Sequence, residues 1–205
     1  MNKKEKAKEI LEILNKLFPN PEVPLVHDSD YTLLIAVLLS AQCTDKKVNE
    51  ITPKLFKKAK TPYEMVLLNV GEIKEIIKPC GLSTTKAKAI KNLSKKLIEE
   101  FNGKVPKTFK ELESLPGVGH KTASVVMIQA FDQLAFPVDT HIHRLAKRWG
   151  LSCGKNVNQT EKDLKRLFPK KYWKKLHLQL IFYGREYCPA KKHSKEKCPI
   201  CRLFS

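Results

Sequence analysis

The chain has 205 residues, 42% of them hydrophobic, and carries 39 Lys and Arg against 21 Asp and Glu, a net charge of +18. That length holds one large domain or two small ones, each with a proper core, and the charge points to a polyanionic partner. No apolar run approaches the roughly 20 residues of a bilayer span, and the lysine-rich start lacks the apolar segment of a signal peptide, so no membrane role and a cytoplasmic location are expected.

The first predicted element covers residues 3–18, where Ile10, Leu11, Leu14, Leu17 and Phe18 recur at helical spacing before Pro19 and Pro21. Ser29 or Asp30 can cap the next helix, which is apolar on all sides over residues 33–39 and therefore belongs in the middle of the fold. Gln42 ends it, and Thr44 with Asp45 starts another. Thr61-Pro-Tyr-Glu64 and Asn69-Val-Gly-Glu72 both read as capping boxes, and Pro79 and Gly81 close the second of these helices. Residues 86–101 are amphipathic, with Ile90, Leu93, Leu97 and Ile98 inward and Lys86, Lys88, Lys91, Lys95 and Lys96 assigned to the outer face. Thr108-Phe-Lys-Glu111 is a further capping box, and an Ala-rich helix spans 121–131. Helices over 139–149, from Asn158, and over 172–187 complete the chain. Strand alternation is missing, apart from an extended stretch at 136–138, so the fold class is all-α.

Between the helices that flank it, Leu115-Pro-Gly-Val-Gly-His-Lys-Thr-Ala123 makes a tight turn. Pro116 stops one helix, and Gly117 and Gly119 permit unusual backbone angles. Such a turn at a helix N-terminus leaves N–H groups uncovered, a ready site for a phosphate. It resembles a helix-hairpin-helix DNA-binding motif, and the alternative is an ordinary corner between two helices. Pro137-Val-Asp-Thr-His141, placed beyond it, extends the likeness. So do Leu39-Ser-Ala-Gln-Cys-Thr-Asp45, Cys80-Gly-Leu82 and the late cysteines.

Together these stretches resemble the endonuclease III family of DNA repair glycosylases, over most of the chain. The resemblance implies a six-helix domain at residues 23–133 that carries the hairpin. It also implies a second helical domain, residues 1–22 plus 134–205, with a DNA cleft between the two. Lys121 and Asp139 are then the catalytic pair. Gln42 and Leu82 become wedges that fill the space left by a flipped base, and Gly117, Val118, Gly119 and His120 the phosphate-binding turn. His120 stands where the family more often has arginine. Lys191 and Lys192, on the C-terminal loop, suit DNA contacts.

The chemistry asks for these residue types. Breaking the N-glycosidic bond needs a nucleophile at C1′, and a lysine amine that attacks there leaves a covalent imine, which eases β-elimination of the 3′ phosphate. The first turn of a helix disfavours an ammonium, so the place of Lys121 suits an amine. A carboxylate such as Asp139 helps move protons and stabilises the cationic sugar. Taken singly, Asp139 is a good N-cap and Lys121 one more phosphate-binding lysine. The expected function is a bifunctional glycosylase and abasic-site lyase that removes oxidised pyrimidines from double-stranded DNA and acts as a monomer in the cytoplasm, at the nucleoid. The alternative is a noncatalytic helix-hairpin-helix DNA-binding protein.

Six cysteines in a cytosolic chain argue against a disulfide framework. Cys43, Cys80 and Cys153 are expected to be small, partly buried residues. Cys188, Cys198 and Cys201 resemble the family's iron–sulfur loop, Cys-x6-Cys-x2-Cys-x5-Cys, but the first gap is nine residues here and no fourth cysteine follows Cys201. A [4Fe–4S] cluster on three thiolates is one reading. Zinc with His193 as a fourth ligand is another, and a metal-free basic loop is the third.

Overall fold

The protein is described by a computed structural model over residues 1–204. In chain order its α-helices are α1 (Lys3–Leu17), α2 (Asp30–Leu39), α3 (Asp45–Lys58), α4 (Pro62–Met65), α5 (Val70–Ile77) and α6 (Ser83–Phe101). They continue as α7 (Phe109–Glu113), α8 (His120–Ala130), α9 (Thr140–Arg148), α10 (Val157–Leu167) and α11 (Trp173–Glu186). There is no β-strand among the described residues, and 136–138 are simply buried. No described helix is long and apolar enough to cross a membrane. The chain divides into two compact units, Val23–Gln133 and Met1–Glu22 with Leu134–Ser205.

In the first unit every residue of α2 from Tyr31 to Leu39 is buried. The hydroxyl of Tyr31 lies 2.6 Å from that of Ser94, which donates to the carbonyl of Ile90 at 2.7 Å, so these two buried hydroxyls are satisfied locally. The capping boxes predicted at Thr61 and Asn69 form, with Glu64 and Glu72 reaching back to the cap backbone. At Thr108 only half of one does. Its hydroxyl accepts from the N–H of Glu111, but the Glu111 carboxylate takes the Thr108 hydroxyl at 2.6 Å instead of the cap N–H.

The second unit is organised by α11, with Leu176, Leu178, Leu180, Ile181 and Tyr183 buried. α1 packs on it. Gln179 on α11 donates to the carbonyl of Phe18 at 2.9 Å, satisfying a group that the end of α1 leaves without a helical partner. α9 also packs on it, close enough that a Cβ at Gly184 would stand 3.1 Å from the Cβ of His141.

Three expectations fail here. α10 is capped by Asn156, which accepts from the N–H of Gln159 at 2.8 Å, so Asn158 lies inside the helix. Cys153 is exposed where partial burial was expected. Lys86 does not lie on the outer face of α6; it is 5% exposed.

Candidate functional site

The turn between α7 and α8 is built by two glycines with different duties. Gly117 has φ +79, and a Cβ there would come within 2.7 Å of the Cβ of Ala89 and 3.2 Å of Leu38 Cδ1. It is glycine because the backbone is left-handed and packed against its own core. Gly119 has an ordinary φ of −92, and nothing described lies within 4 Å of where its Cβ would be. Val118 is buried and its N–H is already bonded to the Leu115 carbonyl at 3.1 Å, which removes it as a donor to a ligand. No described side chain caps α8, and the backbone at Gly119 lies open at its start, the kind of helix end that suits an anion. The ring of His120 stacks on Phe109 at 5.5 Å, and its Nδ1 lies 2.7 Å from Glu113 Oε1.

Lys121 follows directly, in the first turn of α8, and is exposed. Asp139 is half-buried and caps α9, its Oδ1 accepting from the N–H of Ile142 at 2.8 Å. The cap fixes its carboxylate. Lys121 lies in the first unit and Asp139 in the second. Beside Asp139, burial holds the imidazole of His141 below its usual range, although the Asp139 charge pulls the other way.

Gln42 and Leu82, far apart in sequence, are brought under one control. Both are exposed and both have left-handed backbones, with φ of 55 and 49. For residues with a Cβ, and above all for leucine, that conformation is costly and collects at functional sites. What holds it is Lys86. Its ammonium donates to the carbonyls of Leu39 at 2.9 Å, Ala41 at 2.8 Å and Cys80 at 2.9 Å, tying together the two loops that carry Gln42 and Leu82. Burial lowers its pKa from the ordinary lysine value. Lys86 was missed as a site residue, although its spacing carried the signal: Ile90 and Leu93 follow at four and seven residues, on the apolar face.

At the C-terminus Cys188, His193, Cys198 and Cys201 converge, with one ligand atom of each lying within 4.8 Å of all the others. This group is able to hold a metal. Cys188, Cys198 and Cys201 are buried, and Arg148 Nη1 approaches Cys188 Sγ at 3.0 Å. The Tyr183 hydroxyl accepts from the N–H of Ile200 at 2.9 Å and lies 3.1 Å from Cys198 Sγ, to which it can donate. Burial raises the Cys188 thiol and pushes that of Cys201 up to about 12. Burial acts on Cys198 too, but the Tyr183 hydroxyl and nearby N–H groups outweigh it and lower that thiol. Lys191 and Lys192 are exposed on the loop between the first two cysteines.

Residues 35–170 match the model of the HhH-GPD superfamily base excision DNA repair proteins. Endonuclease III of Bacillus subtilis is 44% identical over 194 residues, covering 94% of this chain and 89% of that protein. The chain belongs to the endonuclease III family. Its fold matches a solved non-covalent endonuclease III–DNA complex with a TM-score of 0.95 at 40% identity, covering 100% of this chain and 96% of the other. A trapped endonuclease III–DNA covalent intermediate matches with a TM-score of 0.94 at 41% identity, covering 99% and 96%. Membership makes this chain a base excision repair enzyme of the DNA glycosylase and lyase type, all-helical, with the hairpin at 115–123.

Proposed function

We propose that this protein excises oxidised pyrimidines from double-stranded DNA and cleaves the abasic site, with Lys121 as nucleophile and Asp139 as its carboxylate partner. The observation that carries the reading is the position of Lys121, exposed in the first turn of α8 immediately after the uncovered Gly119 backbone. A phosphate held at that helix end delivers the neighbouring sugar to the lysine. The lone pair of Nζ bonds to C1′, the N-glycosidic bond breaks, and the base leaves with that bond's electron pair and takes up a proton. Ring opening gives the imine. Loss of a C2′ proton then expels the 3′ phosphate, and water releases Lys121 from the sugar. Asp139, its rotamer fixed by the cap, handles protons and stabilises the cationic sugar.

In the same reading Gln42 and Leu82 fill the space of the flipped base. Gly117 and Val118 shape the turn, while Gly119 and His120 present it to a phosphate. The metal centre of Cys188, Cys198 and Cys201 fixes the loop that brings Lys191 and Lys192 to the backbone. The enzyme works as a monomer on DNA in the cytoplasm, at the nucleoid.

Borohydride trapping tests this. A covalent complex should form with abasic-site duplex and should vanish in Lys121→Gln, while DNA affinity stays within about an order of magnitude. An adduct that persists in Lys121→Gln moves the nucleophile elsewhere. Tight binding by the unaltered protein with no adduct at all makes it a noncatalytic DNA-binding protein.

A further inference from the structure

We propose that the C-terminal knot is a single-ion zinc site, with Cys188, His193, Cys198 and Cys201 as its four ligands, in place of an iron–sulfur cluster. The first ground is distance. Around one tetrahedral zinc, with Zn–S bonds of about 2.3 Å, two thiolates stand about 3.8 Å apart. The sulfurs of Cys188 and Cys201 are 3.8 Å apart, and all four ligand atoms lie within 4.8 Å of one another. A cubane cluster gives each thiolate its own iron at a separate corner, which spreads the sulfurs well beyond this. Four ligand atoms at these separations enclose an ion and leave no room for a cluster.

The second ground is His193. Its Nε2 is buried and has no hydrogen-bond partner among the described residues. A buried nitrogen in that state calls for an explanation, and a metal is the one that the adjoining thiols provide. The nine residues between Cys188 and Cys198 put His193 at the midpoint, with four residues between it and each cysteine, and Cys198-Pro-Ile-Cys201 adds a spacing common in structural zinc sites.

The third ground lies around the ligands. Three thiolates and a neutral imidazole on a divalent ion leave one net negative charge. Arg148 meets it at Cys188, and the Tyr183 hydroxyl donates to Cys198. Arg144 fastens the same corner by donating to the carbonyl of Cys188 at 2.9 Å. Such outer donors orient ligands and temper their charge. Zinc has no redox chemistry, so the role assigned here is structural.

Metal analysis of the whole chain, purified anaerobically from medium containing both iron and zinc, decides the matter. The expected result is a colourless protein with one zinc per chain and no acid-labile sulfide. Replacing the zinc by cobalt should give the visible absorption of a tetrahedral, thiolate-bound ion. His193→Ala should weaken zinc binding at least tenfold in competition with a chelator, and His193→Cys should restore it. About four irons with matching sulfide and broad visible absorption would overturn the proposal, as would a metal-free protein or His193→Ala with undiminished zinc affinity. The Lys121 adduct is scored separately, so failure here does not pass for failure of the catalytic reading.

Discussion

Lys86 donates from Nζ to the carbonyl oxygen of Cys80 at 2.9 Å, two residues before Leu82. The same ammonium holds the carbonyl of Ala41, one residue before Gln42, at 2.8 Å. A buried cation thus fixes the backbone beneath both proposed wedges. Lys86→Met keeps the aliphatic stem and removes all three bonds. It should cost about 2 kcal/mol of stability, the scale of a hydrogen bond to a charged group. A stabilising role alone would lower activity on every substrate alike. If Lys86 positions the wedges, base excision from duplex should fall at least tenfold more than cleavage of an abasic site in single-stranded DNA, where no hole needs filling. An equal loss on both would leave Lys86 only a structural part.

The place of Lys86 illustrates what the sequence shows and what it hides. Charge assigned it to the outer face of α6, while its spacing from Ile90 and Leu93 put it inside; spacing was right, because three carbonyls can satisfy an ammonium. The proposed nucleophile Lys121, the hairpin and the cysteine set were legible as local motifs. The left-handed backbones at Gln42 and Leu82 were not, since neither residue type announces a positive φ. Nor was the start of α6 at Ser83, which begins after Leu82 without a side-chain cap. At α10 the helix starts earlier than Asn158, because the Asn156 side chain accepts from the N–H of Gln159 and so caps it at Val157. The box at Thr108 is half-formed although the motif is present: the Glu111 carboxylate is taken by the Thr108 hydroxyl itself and not by the cap N–H.

Asp139 is both a cap and a proposed catalytic group, and one substitution separates the two. Asparagine caps helices as well as aspartate does. Asp139→Asn should therefore melt with the unaltered protein while base release slows about a hundredfold, the scale of general acid–base assistance. Cleavage of a preformed abasic site should suffer less. A large drop in melting temperature with release per folded molecule unchanged would make Asp139 a cap and nothing more.

The net charge of +18 sets an expectation for binding. Affinity for undamaged duplex should fall steeply and linearly on a log–log plot against salt, because each phosphate contact releases counterions. Lys191→Ala with Lys192→Ala, both exposed, should lower that slope by one or two and leave melting unchanged. Salt-insensitive binding would remove the electrostatic reading of the loop.

The two hairpin glycines give the sharpest contrast. At Gly117 a methyl group meets the Cβ of Ala89 at 2.7 Å in a backbone of positive φ. Gly117→Ala should therefore destabilise the protein by about 2 kcal/mol, from strain and overpacking together, and any loss of binding should follow the loss of fold. At Gly119 the methyl group meets nothing in the protein, and φ is ordinary. Gly119→Ala should leave the melting temperature unchanged, or raise it slightly by restraining the unfolded chain. Its cost falls on a ligand alone, since the added carbon covers the backbone at the uncapped start of α8. Affinity for duplex should drop at least tenfold at every sequence tested, paired with normal melting. If Gly119→Ala binds DNA as well as the unaltered protein does, no phosphate approaches that backbone and the anion-binding role of the hairpin is lost.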